Sequence, residues 1–192
     1  GSITTGTGDS AHGIYNDGAY NTTTVAGSIT TAGLFATGIF NNGSINTTTV
    51  SGSITTAGTG AVGIYNNGST NTTTVSGSIT TGTGTYAYGI YIYGDNNTTT
   101  VSGSIKTEGA GAHGIYNHGG DNNKTTVSGT VKATGASSAA LYNVRGDGNS
   151  FTLNEGATII GDIVARDDAT NNALDATNSK LIFNLGASTS YA

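Results

Sequence analysis

Apolar side chains recur along this chain at a fixed step of 25 to 26 residues. Ile3, Ile29, Ile54, Ile79, Ile105 and Val131 share one slot, within Gly-Ser-Ile-Thr-Thr or a close variant of it. A second slot, within Gly-Ile-Tyr, holds Ile14, Ile39, Ile64, Ile90, Ile115 and, more loosely, Leu141; a third, Thr-Thr-Val, holds Val25, Val50, Val75, Val101 and Val127. Fixed-period self-similarity in this range marks units that cannot bury their apolar face alone and must stack to build a core. Around each anchor the alternation is that of a strand. Val25 and Ile29 lie four apart, which puts both on one face of a period-two segment with Thr24 and Ser28 on the other. Ile14 is expected to face inward, with Gly13 and Tyr15 outward.

Thr-Thr-Thr runs, frequent Gly and the lack of any i, i+3, i+4, i+7 stripe exclude helices. Asn16-Asp17-Gly18 and Asn41-Asn42-Gly43 supply residues that tolerate left-handed backbone at turns. The pattern therefore predicts an all-β chain: a single-stranded parallel β-helix, or solenoid, with three short strands per coil. Each strand pairs with its equivalent one coil away, at about 4.8 Å. A β-propeller, the competing repeat architecture, needs blades of roughly 40 residues or more and its own signatures. Residues 1–143 read as about six regular coils, and 144–192 as divergent coils of the same β-helix. In that second part Glu155 to Asp162 reads as an insertion before Ile163 restores an anchor, and Leu181–Leu185 is the last strong strand. Open sheet edges at the two ends make end-to-end self-association an expected contact.

Composition sharpens this reading in two ways. Gly and Thr together exceed a third of the 192 residues, with no Pro, Cys, Met or Trp, which sets the chain apart from ordinary globular domains. The regular anchors and a net charge of only -5 argue against disorder. No Lys or Arg precedes Lys106, so the clustered cations needed to bind nucleic acid are lacking. No apolar run approaches the roughly 20 residues of a membrane-spanning helix. With no charged-then-apolar leader before the first repeat, the chain reads as a mature or excised piece. Absence of Cys is compatible with export in an unfolded state but by itself sets no compartment.

Residues able to carry chemistry are sparse. Tyr15, Phe40, Tyr65, Tyr91, Tyr116 and Tyr142 share the slot after the second anchor and form an expected outer aromatic ladder. Exposed ring faces there would bind a sugar or a receptor, although stacking between coils would also stabilise the rod. One residue on, Asn16, Asn41, Asn66, Asn117 and Asn143 form an amide ladder, expected at a turn and interrupted by Ile92. Thr22 and Thr24, Thr47 and Thr49, Thr72 and Thr74, and Thr98 and Thr100 make two outward columns that resemble the flat faces of β-solenoid ice-binding proteins; Lys124 interrupts them. Asp9, Ser10 and His12 are close in sequence, but alternating faces on a strand do not converge as a catalytic triad must. His12 and His113 share a slot four coils apart, too far for one metal, and His118 adds only a local pair. Turns such as Gly119-Gly120-Asp121 and Gly146-Asp147-Gly148 lack the nonapeptide calcium repeat. No enzyme, cofactor or metal is expected.

The motifs Gly-Ile-Tyr-Asn-Asn-Gly and Val-Ser-Gly-Ser-Ile, with Gly161-Asp162-Ile163 and Leu181-Ile182-Phe183-Asn184-Leu185-Gly186, resemble the passenger domains of Gram-negative autotransporters, the type V secreted proteins. The resemblance implies a right-handed β-helix, exported and threaded through its own outer-membrane translocator barrel, then displayed on the cell surface or released. Many such passengers are adhesins or act on host cells, so the implied partner is a host receptor or matrix. The inserted catalytic domain of the protease members has no counterpart here. A structural stalk and an ice-binding rod are the alternative functions.

Overall fold

The computed structural model describes residues 1–166 and 178–184. Among them every regular element is a strand, and all strands pair in parallel. The first sheet contains Ser2–Thr4, Ser28–Thr31, Ser53–Thr56, Ser78–Thr81, Ser104–Thr107, Thr130–Ala133 and Thr158–Ile160. The second contains Ile14–Asp17, Ile39–Asn42, Ile64–Asn67, Ile90–Tyr93, Ile115–His118, Ala139–Val144 and Asp162–Arg166. The third contains Thr22–Val25, Thr47–Val50, Thr72–Val75, Thr98–Val101, Lys124–Val127, Ser150–Asn154 and Lys180–Asn184. Over the described residues each sheet is seven-stranded, so they form a three-sided β-solenoid of seven coils. Six inter-coil steps make it about 29 Å long at parallel-sheet spacing.

Register follows the anchors. Ile29 pairs with Ile54, Ile39 with Ile64 and Val50 with Val75, and the same equivalences run through the stack. These side chains are buried from the second coil through the sixth and form one continuous core. The segment read as one strand through Val25 and Ile29 is bent. It is two strands meeting at a corner, where Ala26-Gly27 and its equivalents turn the chain between the third and first sheets. Both anchors still point inward because the corner preserves their four-residue phase.

The corner depends on the absence of a side chain. A Cβ on Gly77 would lie 1.9 Å from the Gly52 carbonyl oxygen and 2.6 Å from that of Ser51, and Gly52, Gly103 and Gly129 face the same obstruction. Two consecutive amides, of Ser76 and Gly77, converge on the single carbonyl of Val50. That convergence draws the backbones of adjacent coils together.

The C-terminal part departs from the expected insertion. Val131 pairs with Ile159, so the first-sheet anchor is already restored before Ile163, which instead pairs with Leu141 in the second sheet. The last coil lengthens one corner after Leu153 and cuts the next to the single residue Gly161. It thereby omits the loop that earlier coils carry between the first and second sheets. Asp167, Asp168, Leu185 and Gly186 lie outside the described residues.

Candidate functional site

The six expected ladder residues are brought together. Tyr15, Phe40, Tyr65, Tyr91, Tyr116 and Tyr142 are consecutive register partners in the second sheet. Ring centroids are 4.7 Å apart for Phe40 and Tyr65, 4.7 Å for Tyr65 and Tyr91, and 5.1 Å for Tyr91 and Tyr116. The two end pairs, Tyr15 with Phe40 and Tyr116 with Tyr142, are edge-on. In the central run the ring faces are turned to one another, so the ladder presents edges and hydroxyls outward and few free faces. Exposure falls along it, from 51% at Tyr15 to 7% at Tyr142. Burial first, and then neighbouring phenols, push the Tyr91 and Tyr116 hydroxyls well above their ordinary range; the same causes raise Tyr88 to about 12. These phenols are neutral hydrogen-bonding groups across the physiological range.

A second aromatic column flanks the ladder. Its slot, two residues before the second anchor, holds His12, Thr37, Val62, Tyr88 and His113. Tyr88 stacks on His113, and His113 on Tyr142 at 4.2 Å. The two histidines do a backbone's work. His12 Nδ1 accepts the Thr37 amide and His113 Nδ1 accepts the Ala139 amide, both at 3.0 Å. Burial holds both rings below the ordinary histidine pKa, His113 to about 4 with Arg166 adding to the shift.

A third column lies two residues further out in sequence: Ser10, Phe35, Gly60, Tyr86, Gly111 and Ser137, all at positive φ. Phe35 and Tyr86 are 60% and 58% exposed. Their rings reach over the glycine of the following coil: a Cβ on Gly60 would fall 2.4 Å from the Phe35 ring, and one on Gly111 2.6 Å from that of Tyr86. Between the columns, where the third coil carries only Gly60 and Val62, a groove of about 510 Å³ opens. Phe40, Tyr65 and Tyr91 form its floor, and Phe35, Tyr86 and Tyr88 its walls. The sequence reading missed Phe35, Tyr86 and Tyr88. Aligning the coils beyond the anchors would have found them, as aromatic residues in slots that otherwise hold Ser, Gly, Thr or Val.

The other candidates resolve into ladder contacts. His12 shares no hydrogen bond with Asp9 or with the Ser10 hydroxyl; its backbone amide bonds the Ser10 carbonyl. His118 Nδ1 lies 2.6 Å from the Tyr91 hydroxyl. In the Gly-Asp turns, Asp95 Oδ1 accepts the Asp121 amide and Asp121 Oδ1 the Asp147 amide. Among the described residues no group of three or more His, Asp or Glu side chains is placed to hold a metal. The Thr pairs are in register and outward over four coils until Lys124 enters opposite Thr98.

The amide ladder is internal and lies within the strands. Asn41, Asn66, Asn117 and Asn143 are buried in the second sheet, because the slot two residues after an inward anchor faces inward too. Asn16 Nδ2 donates to Asn41 Oδ1 and Asn41 Nδ2 to Asn66 Oδ1, and each also donates to a Thr of the third sheet, Thr23 and Thr48. At the turns stands a separate asparagine ladder. Asn46, Asn71, Asn97, Asn123 and Asn149 each accept, through Oδ1, the backbone amide of the preceding coil's asparagine.

Compared with protein-family models, with curated proteins and with solved structures, the chain finds no match in any of the three. The fold and the outer groove define it as a β-solenoid with an aromatic groove beside its second sheet.

The histidine geometry sets an acid response. In the folded state His113 Nδ1 is an acceptor, so the ring stays neutral down to about pH 4, whereas in the unfolded chain it takes up a proton near 6.5. The unfolded state therefore binds more protons between these values, and stability falls as pH drops through that window. His113→Asn keeps an acceptor for Ala139 and cannot titrate, so its melting temperature should decline less than the parent's between pH 6.5 and 4. Equal slopes in the two proteins would remove His113 as the cause.

Proposed function

We propose that this chain is a binding rod: a secreted or surface-displayed passenger, carried across the outer membrane by a translocator barrel of its precursor, that engages a host receptor or matrix through its outer face. The observation that carries this reading is the groove, where the large aromatic side chains Phe35 and Tyr86 stand exposed beside a row of stacked rings. Exposed apolar patches on a soluble surface mark interaction sites far more often than single exposed residues do. The motif resemblance to autotransporter passengers supports the same reading, and so does the lack of cationic side chains before Lys106, which disfavours a nucleic-acid partner. We assign no enzymatic role.

The test is binding of the fluorescently labelled 192-residue chain to cultured epithelial cells and to immobilised matrix proteins. Saturable binding, competed by unlabelled chain, is the expected result. Non-saturable, uncompeted signal on every surface would instead favour a stalk that spaces other domains.

A further inference from the structure

Phe35 and Tyr86 carry two independent costs at once. They adopt φ of 53° and 55°, a left-handed conformation that a bulky L-residue takes only under strain, in a slot that holds glycine at Gly60 and Gly111. Each also leaves more than half of its large surface in water. Strain and exposure alone do not single them out, since Tyr20 has φ of 64° and is 76% exposed. What separates them is position: Phe35 and Tyr86 wall the groove and Tyr20 is not part of it. Local choices that oppose the fold's own preferences are expected where a ligand repays them.

The groove has the chemistry of an uncharged, amphipathic ligand. Among the described residues no Asp, Glu, Lys or Arg lines it, and His12, the one titratable base among them, is held neutral by burial and by the amide it accepts. Charge complementarity therefore points away from acidic partners and toward neutral ones. Outer ring faces at Phe35 and Tyr86 offer apolar platforms, while the Tyr65 and Tyr88 hydroxyls, neutral and raised in pKa by burial, offer both donors and acceptors; the Tyr91 hydroxyl is already engaged by His118 Nδ1. The groove is open along the rod from the coil of His12 to that of Tyr91, three coil steps or about 14 Å. A length of that order suits several linked units and exceeds one small molecule.

We propose that this groove binds a neutral glycan chain laid along the rod axis, the apolar faces of its sugar rings resting on Phe35 and Tyr86 and its hydroxyls bonding the tyrosine edges. This rests on the binding-rod reading above and names its ligand class. It also moves the contact from the stacked ladder, whose central faces are covered, to the outer column that the ladder supports.

The experiment uses calorimetric titration of the intact 192-residue chain with cellotetraose, chitotetraose and mannotetraose, with heparin and a sialylated oligosaccharide as charged comparators. The key variant is Phe35→Gly/Tyr86→Gly. Because the slot carries glycine in the third and fifth coils, and because glycine relieves the positive φ, this variant should keep the parent's circular dichroism and melt within a few degrees of it. Expected is binding of at least one neutral oligosaccharide, no binding of the charged pair, a loss of tenfold or more in the double glycine variant, and no change in Tyr20→Gly. The proposal is overturned if no neutral glycan binds, if heparin or the sialylated sugar is preferred, or if the folded double variant binds as the parent does. An aromatic peptide displacing the glycan from the parent with higher affinity overturns it equally. Cell binding that survives in the double variant would sink the glycan assignment and leave the binding rod intact. Glycan binding by a chain that does not bind cells would do the reverse.

Discussion

Gly77→Ala should unfold the middle of the solenoid. The added methyl would lie 1.9 Å and 2.6 Å from two backbone carbonyl oxygens of the coil below, and neither can swing aside as a side chain would. Those carbonyls belong to the corner that fixes coil spacing, where Val50 accepts the amides of both Ser76 and Gly77. Relief requires the corner to open and two ladder bonds to break. The expected loss is about 4 kcal/mol or more, in the range reserved for backbone clashes and broken buried networks. Because each coil is held only by its neighbours, the damage should appear as a broadened or two-step melt with coils on either side partly retained. Gly6→Ala, where nothing lies within 4 Å, is the matched control and should melt like the parent. A Gly77→Ala protein that melts as one sharp transition at the parent's temperature would show that the corner yields.

Ile92→Asn, a polar substitution at a fully buried site, should raise stability. Ile92 stands in the slot that holds Asn41, Asn66, Asn117 and Asn143 in other coils. Around it the internal amide ladder fails. Thr99 Oγ1, both polar atoms of the Asn117 side chain and Thr125 Oγ1 are buried with no hydrogen-bond partner. In the second coil the equivalent asparagine donates to the next asparagine and to the facing threonine. An amide introduced in place of Ile92 would accept from Asn66, donate to Thr99 and Asn117, and let Asn117 turn to Thr125. Each unsatisfied buried group costs about 1–3 kcal/mol, against about 1.5–3 kcal/mol for the lost burial of one isoleucine. Even at about 1 kcal/mol each, the four groups outweigh that loss by about 1–3 kcal/mol, and each kcal/mol is worth about 2–4 °C in a chain of this size. A lower melting temperature by differential scanning calorimetry would mean that internal water already satisfies this layer. Asn66→Ile makes the complementary case. It should destabilise, since it removes the acceptor of Asn41 and the donor of Thr73.

Much of this architecture was legible in the residues. Three anchors in phase require three strands per coil, and their spacing requires parallel pairing of equivalents. The aromatic ladder followed from the same arithmetic, since Tyr65 and its partners sit one residue after an inward isoleucine and must face out. Less was legible wherever direction depends on a corner. Asn66 reads as a turn residue from its neighbours Asn67 and Gly68, yet strand alternation carries it inward, where the facing Thr73 and the Asn41 amide of the preceding coil make that burial tolerable. Ile159 was overlooked because two extra residues after Leu153 shift it out of the linear count, although its strand still meets Val131.

The candidate site divides the same way. The solenoid, its period, the inward anchors and the outward row of rings depend only on alternation and repetition, and the order of residues was enough to specify them. Which ring faces are free was settled by packing in three dimensions. Stacking at 4.7 Å covers the faces of Phe40, Tyr65 and Tyr91. The left-handed residues Phe35 and Tyr86 lay their rings over the glycine of the next coil and leave more than half of each side chain exposed. A groove is the space between columns set by coil geometry, and no spacing along one chain encodes it.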